Sequence, residues 1–288
     1  MKRLVILSGK GGTGKTTTAA AFIRFAQAKA AADCDVDAPN LHIVTSFDCQ
    51  PETSSFMGGE KARIDPKLCI GCGACFEHCR FHAIEATEDG YAVNEFACEG
   101  CGVCQLICPQ KAVNLEPDVA GSKYLYEEDG RVFSSARLKM GRGNSGKLVT
   151  EVKMAMLKHA PQCDLAIVDG SPGIGCPVIA SVSGMDLALV VAEPSVSGFS
   201  DLQRLVKTAG TLQTKLAVCV NKWDVSPENT DLIENFCEDQ KIPFLGKIPY
   251  DSAASAAINS GRSLADIDCP ARDALKTIYE KTSRLLGI

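Results

Sequence analysis

The chain has 288 residues, 45% of them apolar and 23% charged, with a formal net charge of −5. That composition excludes wholesale disorder, and the acidic balance weighs against nucleic acid as a partner, because duplex binding draws on Lys and Arg against phosphate. The longest apolar stretch, 165–192, is broken by Asp169, Pro172, Pro177 and Asp186, so no membrane span is expected.

In chain order, residues 2–8 read as a short apolar strand, followed by a glycine-rich turn and an Ala-rich helix from residue 16. A weak second strand, 30–35, ends in acidic residues, and a polar stretch runs to about residue 58. From 59 to 118 periodicity is lost and two similar cysteine blocks repeat. Residues 124–138 carry a hairpin pattern with Asp129-Gly130 as its turn. Alternation then resumes: helix 146–159, strand 164–169, helix 175–183, strand 186–193, helix 198–213, strand 215–221, helix 228–240, strand 242–246 and helices 252–260 and 270–286. Apolar strands alternating with amphipathic helices imply an α/β fold, a doubly wound and mostly parallel sheet covered on both faces. The expected division is one discontinuous domain, 1–58 with 119–288, interrupted by an inserted domain at 59–118.

Residues 9–16, GKGGTGKT, fit G-x-x-x-x-G-K-[ST] between a strand and a helix. In such a loop the backbone N–H groups of Gly9, Gly11, Gly12, Thr13 and Gly14 cradle phosphate, with Thr17 beside them at the helix start. Lys15 reaches the β/γ-phosphates and the Thr16 hydroxyl ligates Mg²⁺. Gly9, Gly11 and Gly14 also fit a dinucleotide fingerprint, but that reading gives Lys15-Thr16 no role.

The 15 cysteines are an odd number and cannot all pair within one chain. Lys2-Arg3 precede an apolar run too short for a secretory signal, so the expected compartment is reducing, the cytoplasm, with thiols free or bound to metal. Cys69-x₂-Cys72-x₂-Cys75-x₃-Cys79 and Cys98-x₂-Cys101-x₂-Cys104-x₃-Cys108-Pro109 each have the bacterial ferredoxin spacing for [4Fe–4S] clusters. In that pattern the fourth ligand crosses over, so one cluster takes Cys69, Cys72, Cys75 and Cys108 and the other Cys98, Cys101, Cys104 and Cys79. Zinc is the competing metal, but a third cysteine at x₂ spacing has no purpose there. Residues 59–118 hold ten Asp/Glu against five Lys/Arg, a face suited to steering a basic redox partner or simply to solubility.

The block KGGTGKTT resembles the deviant P-loop family that includes the nitrogenase iron protein, the cell-division ATPase MinD and the Mrp-type iron–sulfur carriers. The resemblance implies that Lys10 reaches across a nucleotide-sandwiched homodimer to the partner's phosphates, adding to Lys15 in catalysis. It implies that, of Asp35 and Asp37 in DCDVDAPN, Asp37 sits near the γ-phosphate and the attacking water. Asp169 in DGSPG matches the switch that holds Mg²⁺, Asn221 matches a base-contacting position, and Ile248-Pro249-Tyr250-Asp251 matches a second base-side loop. Asn221-Lys222-Trp223-Asp224 also fits the guanine-reading N-K-x-D pattern, but in this family the base is adenine, which makes ATP the expected nucleotide. Cys176 lies seven residues after Asp169, where the nitrogenase iron protein has a bridging-cluster cysteine; its companion has no match, which leaves an interfacial metal site or a packed thiol. A terminal amphipathic helix binds membranes in the MinD branch, whereas packing against the sheet is the ordinary alternative.

Carried as a whole, the resemblance implies a Mg²⁺- and ATP-dependent ATPase with two [4Fe–4S] clusters. Two functions fit it. One is nucleotide-gated electron transfer to a redox partner. The other is assembly or carriage of a metal or iron–sulfur cofactor for a partner protein. A membrane or partition switch with the ferredoxin as sensor is a third, and needs an active terminal helix.

Overall fold

A computed structural model describes residues 1–45 and 47–288. In chain order the elements are β1 (Lys2–Leu7), α1 (Lys15–Ala26), β2 (Ala30–Asp33), α2 (His42–Thr45), β3 (Glu52–Ile64), α3 (Ala74–Glu77), β4 (Ile84–Thr87), β5 (Gly90–Val93) and α4 (Val103–Ile107). There follow β6 (Val113–Glu128), β7 (Arg131–Leu138), α5 (Ser145–His159), β8 (Leu165–Asp169), α6 (Cys176–Val182), β9 (Leu187–Ala192) and α7 (Val196–Thr211). The chain ends with β10 (Lys215–Asn221), α8 (Pro227–Asp239), β11 (Phe244–Ile248), α9 (Ser252–Asn259) and α10 (Pro270–Leu286). It divides into two compact units: residues 1–54, 123–137 and 145–288, and residues 55–122 with 138–144. The second unit is larger than the expected 59–118 and takes in a separate return segment, 138–144.

In the first unit the strand order is β11-β10-β9-β1-β8-β2-β7. The pairs from β11 through β7 are parallel. Strands buried on both faces must be apolar throughout, and Leu4–Leu7 and Leu187–Ala192 are. Along one face α1 packs through Ala19–Ile23 and α10 through Leu275 and Ile278, with Tyr279 edge-on to Phe22 at 5.3 Å. α5 lies against β2 and α6. α10 spends its apolar stripe, Ala271, Leu275, Ile278 and Leu286, on this core, which is the packing alternative for the terminal helix. No helix among the described residues is long and apolar enough to cross a membrane.

The β6–β7 turn forms at Asp129-Gly130, with φ of 48° and 68°. Two successive positive φ values are the mark of the two-residue turn that suits the right-handed twist of a hairpin. One element departs from expectation: 52–58 is strand, not loop, and opens the 13-residue β3. Its inward alternation, Phe56, Gly58 and Ala62, is diluted by polar residues on the other face. In the second unit β4 pairs antiparallel with β5, and a small core gathers Ala62, Ala83, Cys98 and Val113.

Leu189 is fully buried in the central strand β9. Leu189→Ala is expected to cost about 2–5 kcal/mol, read as a lower urea midpoint for the far-UV circular dichroism transition. An unchanged midpoint would contradict this placement.

Candidate functional site

Parallel strands bring their carboxyl ends to one edge, where open α/β sheets place their ligands. There β1 runs into residues 8–14 and then α1. Gly12 and Gly14 adopt φ of 79° and 96°, accessible at low cost only to glycine. A Cβ on Gly14 would stand 2.3 Å from Asn221 Nδ2, so the loop also needs glycine for space. Asn221 donates instead to Thr13 O at 2.7 Å, tying the end of β10 to the loop.

Asp169 closes β8, in register with Ile6 of β1 and Asp33 of β2. Its carboxylate is wholly buried and takes two hydrogen bonds of 2.6 Å, from Lys15 Nζ to Oδ1 and from Thr16 Oγ1 to Oδ2. Burial depresses the Lys15 ammonium, but the charge and hydrogen bond of Asp169 outweigh it and the net shift is upward. Three residues named from sequence thus meet, two of them on the carboxylate of the third.

Asp33 carried no expected role. It is buried, with its carboxylate accepting from the backbone N–H groups of Asp35 (3.0 Å), Asn40 (2.9 Å) and Leu41 (2.9 Å). Burial and the charge of Asp169 push its carboxyl up to about 7, against the opposing pull of those N–H groups and of Lys15. A strand-ending Asp before a turn was the only sequence signal for it.

A cleft of about 330 Å³, at the lower end of the range for small-molecule sites, follows the loop. Gly11, Gly12, Gly14, Lys15, Thr16 and Thr17 line it, together with Asn221, Pro249 and Tyr250. The acidic residue after β2 that lines it is Asp35, half-buried, its carboxyl raised by burial against the pull of Lys15. Asp37 is exposed and does not line the cleft. Val36 turns inward between them, so the chain presents the two aspartates differently.

Lys10, Gly9 and Thr13 line a separate small pocket beside β9 and α7. Lys10 Nζ pairs there with Glu193 Oε2 at 2.6 Å and reaches Ser197 Oγ at 3.3 Å. Asp224 of the N-K-x-D pattern is also committed elsewhere: its Oδ1 accepts from Tyr250 N at 2.7 Å, and it does not line the cleft. It shapes the 249–250 loop. Arg262 and Ser263 line the cleft too, and no motif announced them.

The eight ferredoxin-spaced cysteines line two cavities in the second unit. One is bounded by Cys69, Cys72, Cys75 and Cys108, the other by Cys79, Cys98, Cys101 and Cys104. These are the crossed sets. Gly71, Gly73, Gly100 and Gly102 all have positive φ. Backbone N–H groups point at sulfur: Ala83 to Cys79 (3.3 Å), Ala112 to Cys108 (3.3 Å), and Gly100 (3.4 Å) and Ala62 (3.5 Å) to Cys98. Among the described residues, no three Cys, His, Asp or Glu side chains close on a single-ion position. Cys176 is exposed at the start of α6.

The raised Asp33 carboxyl fixes a pH dependence. Its pKa rises from 3.8 to about 7 on folding, so between those values the folded chain binds the extra proton. Stability therefore falls as pH climbs through that window. Asp33→Asn, which cannot ionise, is expected to flatten the fall in urea midpoint between about pH 4 and about pH 7. A variant with the wild-type slope would assign the titration to another group.

A protein of Methanocaldococcus jannaschii described as uncharacterized is 32% identical over 290 residues, 99% of this chain and 97% of that one. An iron–sulfur cluster carrier protein of Pyrococcus abyssi is 24% identical, covering 97% of this chain and 84% of the other. The crystal structure of the Pyrococcus furiosus cell division ATPase MinD superposes with a TM-score of 0.59 at 18% identity, covering 99% of each chain, a likeness of fold. The family described as the CobQ/CobB/MinD/ParA nucleotide binding domain matches residues 4–264, and the chain belongs to it.

Proposed function

We propose that this protein is a Mg²⁺-dependent ATPase whose second unit carries two [4Fe–4S] clusters, with nucleotide state governing electron transfer to a partner protein. The observation that carries the reading is the pairing of the Lys15–Asp169–Thr16 cluster on a phosphate loop with two cavities lined by the crossed cysteine sets.

Mg²⁺ would be held by Thr16 and Asp169, and there it neutralises phosphate charge. Lys15 exchanges its carboxylate partner for phosphate when nucleotide enters, which keeps a buried ammonium paired in both states. Asp35 lines the cleft and orients the attacking water, the place first expected of Asp37. Lys10 leaves Glu193 and reaches the phosphates of a second copy across a nucleotide-sandwich dimer. Asn221, Pro249 and Tyr250 border an adenine, since Asp224 gives an oxygen to the Tyr250 backbone rather than to a guanine.

In the second unit the cysteines would bind as thiolates and the N–H groups aimed at Cys79, Cys98 and Cys108 would stabilise their charge. A zinc site would leave the third cysteine at x₂ spacing without a purpose. The clusters supply one-electron chemistry when bound. A second reading, carriage or assembly of an iron–sulfur cofactor, is favoured by relatives described as iron–sulfur cluster carriers, such as the Pyrococcus abyssi protein.

Anaerobically prepared protein is expected to hold about eight irons and eight sulfides per chain, and Cys75→Ser about half. Iron near four, or zinc instead, would overturn the two-cluster reading. Electron transfer predicts that iron stays with the chain when Mg·ATP and an apo acceptor are added, whereas carriage predicts its loss to the acceptor.

Asp35→Asn is expected to lower ATP turnover by about a hundredfold or more, with nucleotide binding kept, while Asp37→Asn stays near wild type. The reverse ranking would return the role to Asp37. Lys10→Ala is expected to bind ATP as a monomer without hydrolysing it, and wild-type turnover there would remove the trans role.

A further inference from the structure

Lys153 has no part in the nucleotide site, yet its side chain is buried in the first unit. Its ammonium donates to three carbonyls: Ala180 O at 2.5 Å, Ser181 O at 3.0 Å and Ser183 O at 2.6 Å. All three of its N–H groups are thereby used. These carbonyls belong to the end of α6, where a helix leaves acceptors unpaired and favours a cation. Burial lowers the affinity of Lys153 for its proton, so a methionine of similar length would avoid that cost.

The bonds continue in both directions. Ser181 Oγ accepts from Ser171 N at 3.2 Å, and Ser171 Oγ donates to Cys34 O. Ser171 lies two residues beyond Asp169, and Cys34 lies between Asp33 and Asp35. Cys34, Ser171 and Ser181 are all buried. On the other side, Lys153 sits on α5, which starts at Ser145 directly after the 138–144 segment of the second unit. That segment is fixed within its own unit by Arg142, which donates to Glu95 Oε2 at 2.8 Å and Glu95 O at 2.9 Å. It also pairs with Asp118 Oδ1 at 3.3 Å and lies 5.3 Å from the Phe96 ring centroid.

We propose that Lys153 is a positioning residue that couples the phosphate-sensing segments after β2 and β8, through Ser171, Ser181 and α5, to the return segment of the second unit. The proposal rests on the nucleotide reading above. A loop that moves when phosphate replaces Asp169 on Lys15 must carry Ser171 with it. The Ser171–Ser181 bond and the three-carbonyl clamp then shift α6 and α5 together. Coupling of this kind needs a contiguous network with two arrangements that the ligand binds unequally.

Hydrogen exchange of the full chain, with ADP and with a non-hydrolysable ATP analogue, tests it. Wild type is expected to show slower exchange over residues 9–17 with either nucleotide and a difference between the two over 138–152. Lys153→Met is expected to keep the first and lose the second, and Ser181→Ala, which removes the hydroxyl that accepts from Ser171 N, to lose most of the second. Ser181→Ala stands alone if Lys153→Met does not fold. Protection at 9–17 with no difference at 138–152 in wild type overturns the coupling and leaves nucleotide binding intact. A difference at 138–152 retained in the folded variants also overturns it. Absence of protection at 9–17 overturns the nucleotide reading, and the coupling with it.

Discussion

A carboxylate at zero exposure, held between an ammonium and a hydroxyl, organises the first unit. Asp169 is where β8 stops, Lys15 is where α1 starts, and Thr16 follows it on the helix. Two buried charges lose hydration, and their mutual attraction often only offsets that loss. The arrangement persists because everything around it supports it. The strand register sets Asp169 level with Ile6 and Asp33. The left-handed Gly14 directs α1 toward it. Asp33 meets the crowding by retaining a proton more tightly, while accepting three backbone N–H groups that shape the turn up to Leu41.

The sequence made some of this plain and hid the rest for physical reasons. The phosphate loop was legible because positive φ demands glycine and phosphate demands Lys-Thr, so type and position coincide. The parallel sheet was legible because doubly buried strands have no polar face. Which of Asp35 and Asp37 lines the cleft was not, because DCDVD offers carboxylates at alternating positions and a chain leaving a strand has no fixed periodicity. Asp33 was hidden because a buried aspartate satisfied by backbone looks, in one dimension, like a turn residue. Arg262 was invisible because it reaches the cleft through tertiary packing alone. The strand at 52–58 was missed because Thr53, Ser54 and Ser55 dilute its alternation.

The two units are built on different economies of contact. The first has a broad apolar core shared among seven strands and the helices on them. The second gathers Ala62, Ala83, Cys98 and Val113, small side chains that bury little surface each, and its larger buried residues are few, Phe56 and Ile84 among them. Several large apolar residues there face outward, Leu106 and Phe96 among them. Its shape comes from glycine turns, Arg142 among its acidic partners, and cysteines ringing two hollows.

That imbalance has a consequence for the lifetime of the polypeptide. A unit with the smaller apolar core opens more readily than one with the broader. Cellular proteases act on the least stable segment of a chain, not on its average. Cutting that begins in the smaller unit, a quarter of the length, ends the whole molecule however robust the sheet of the other.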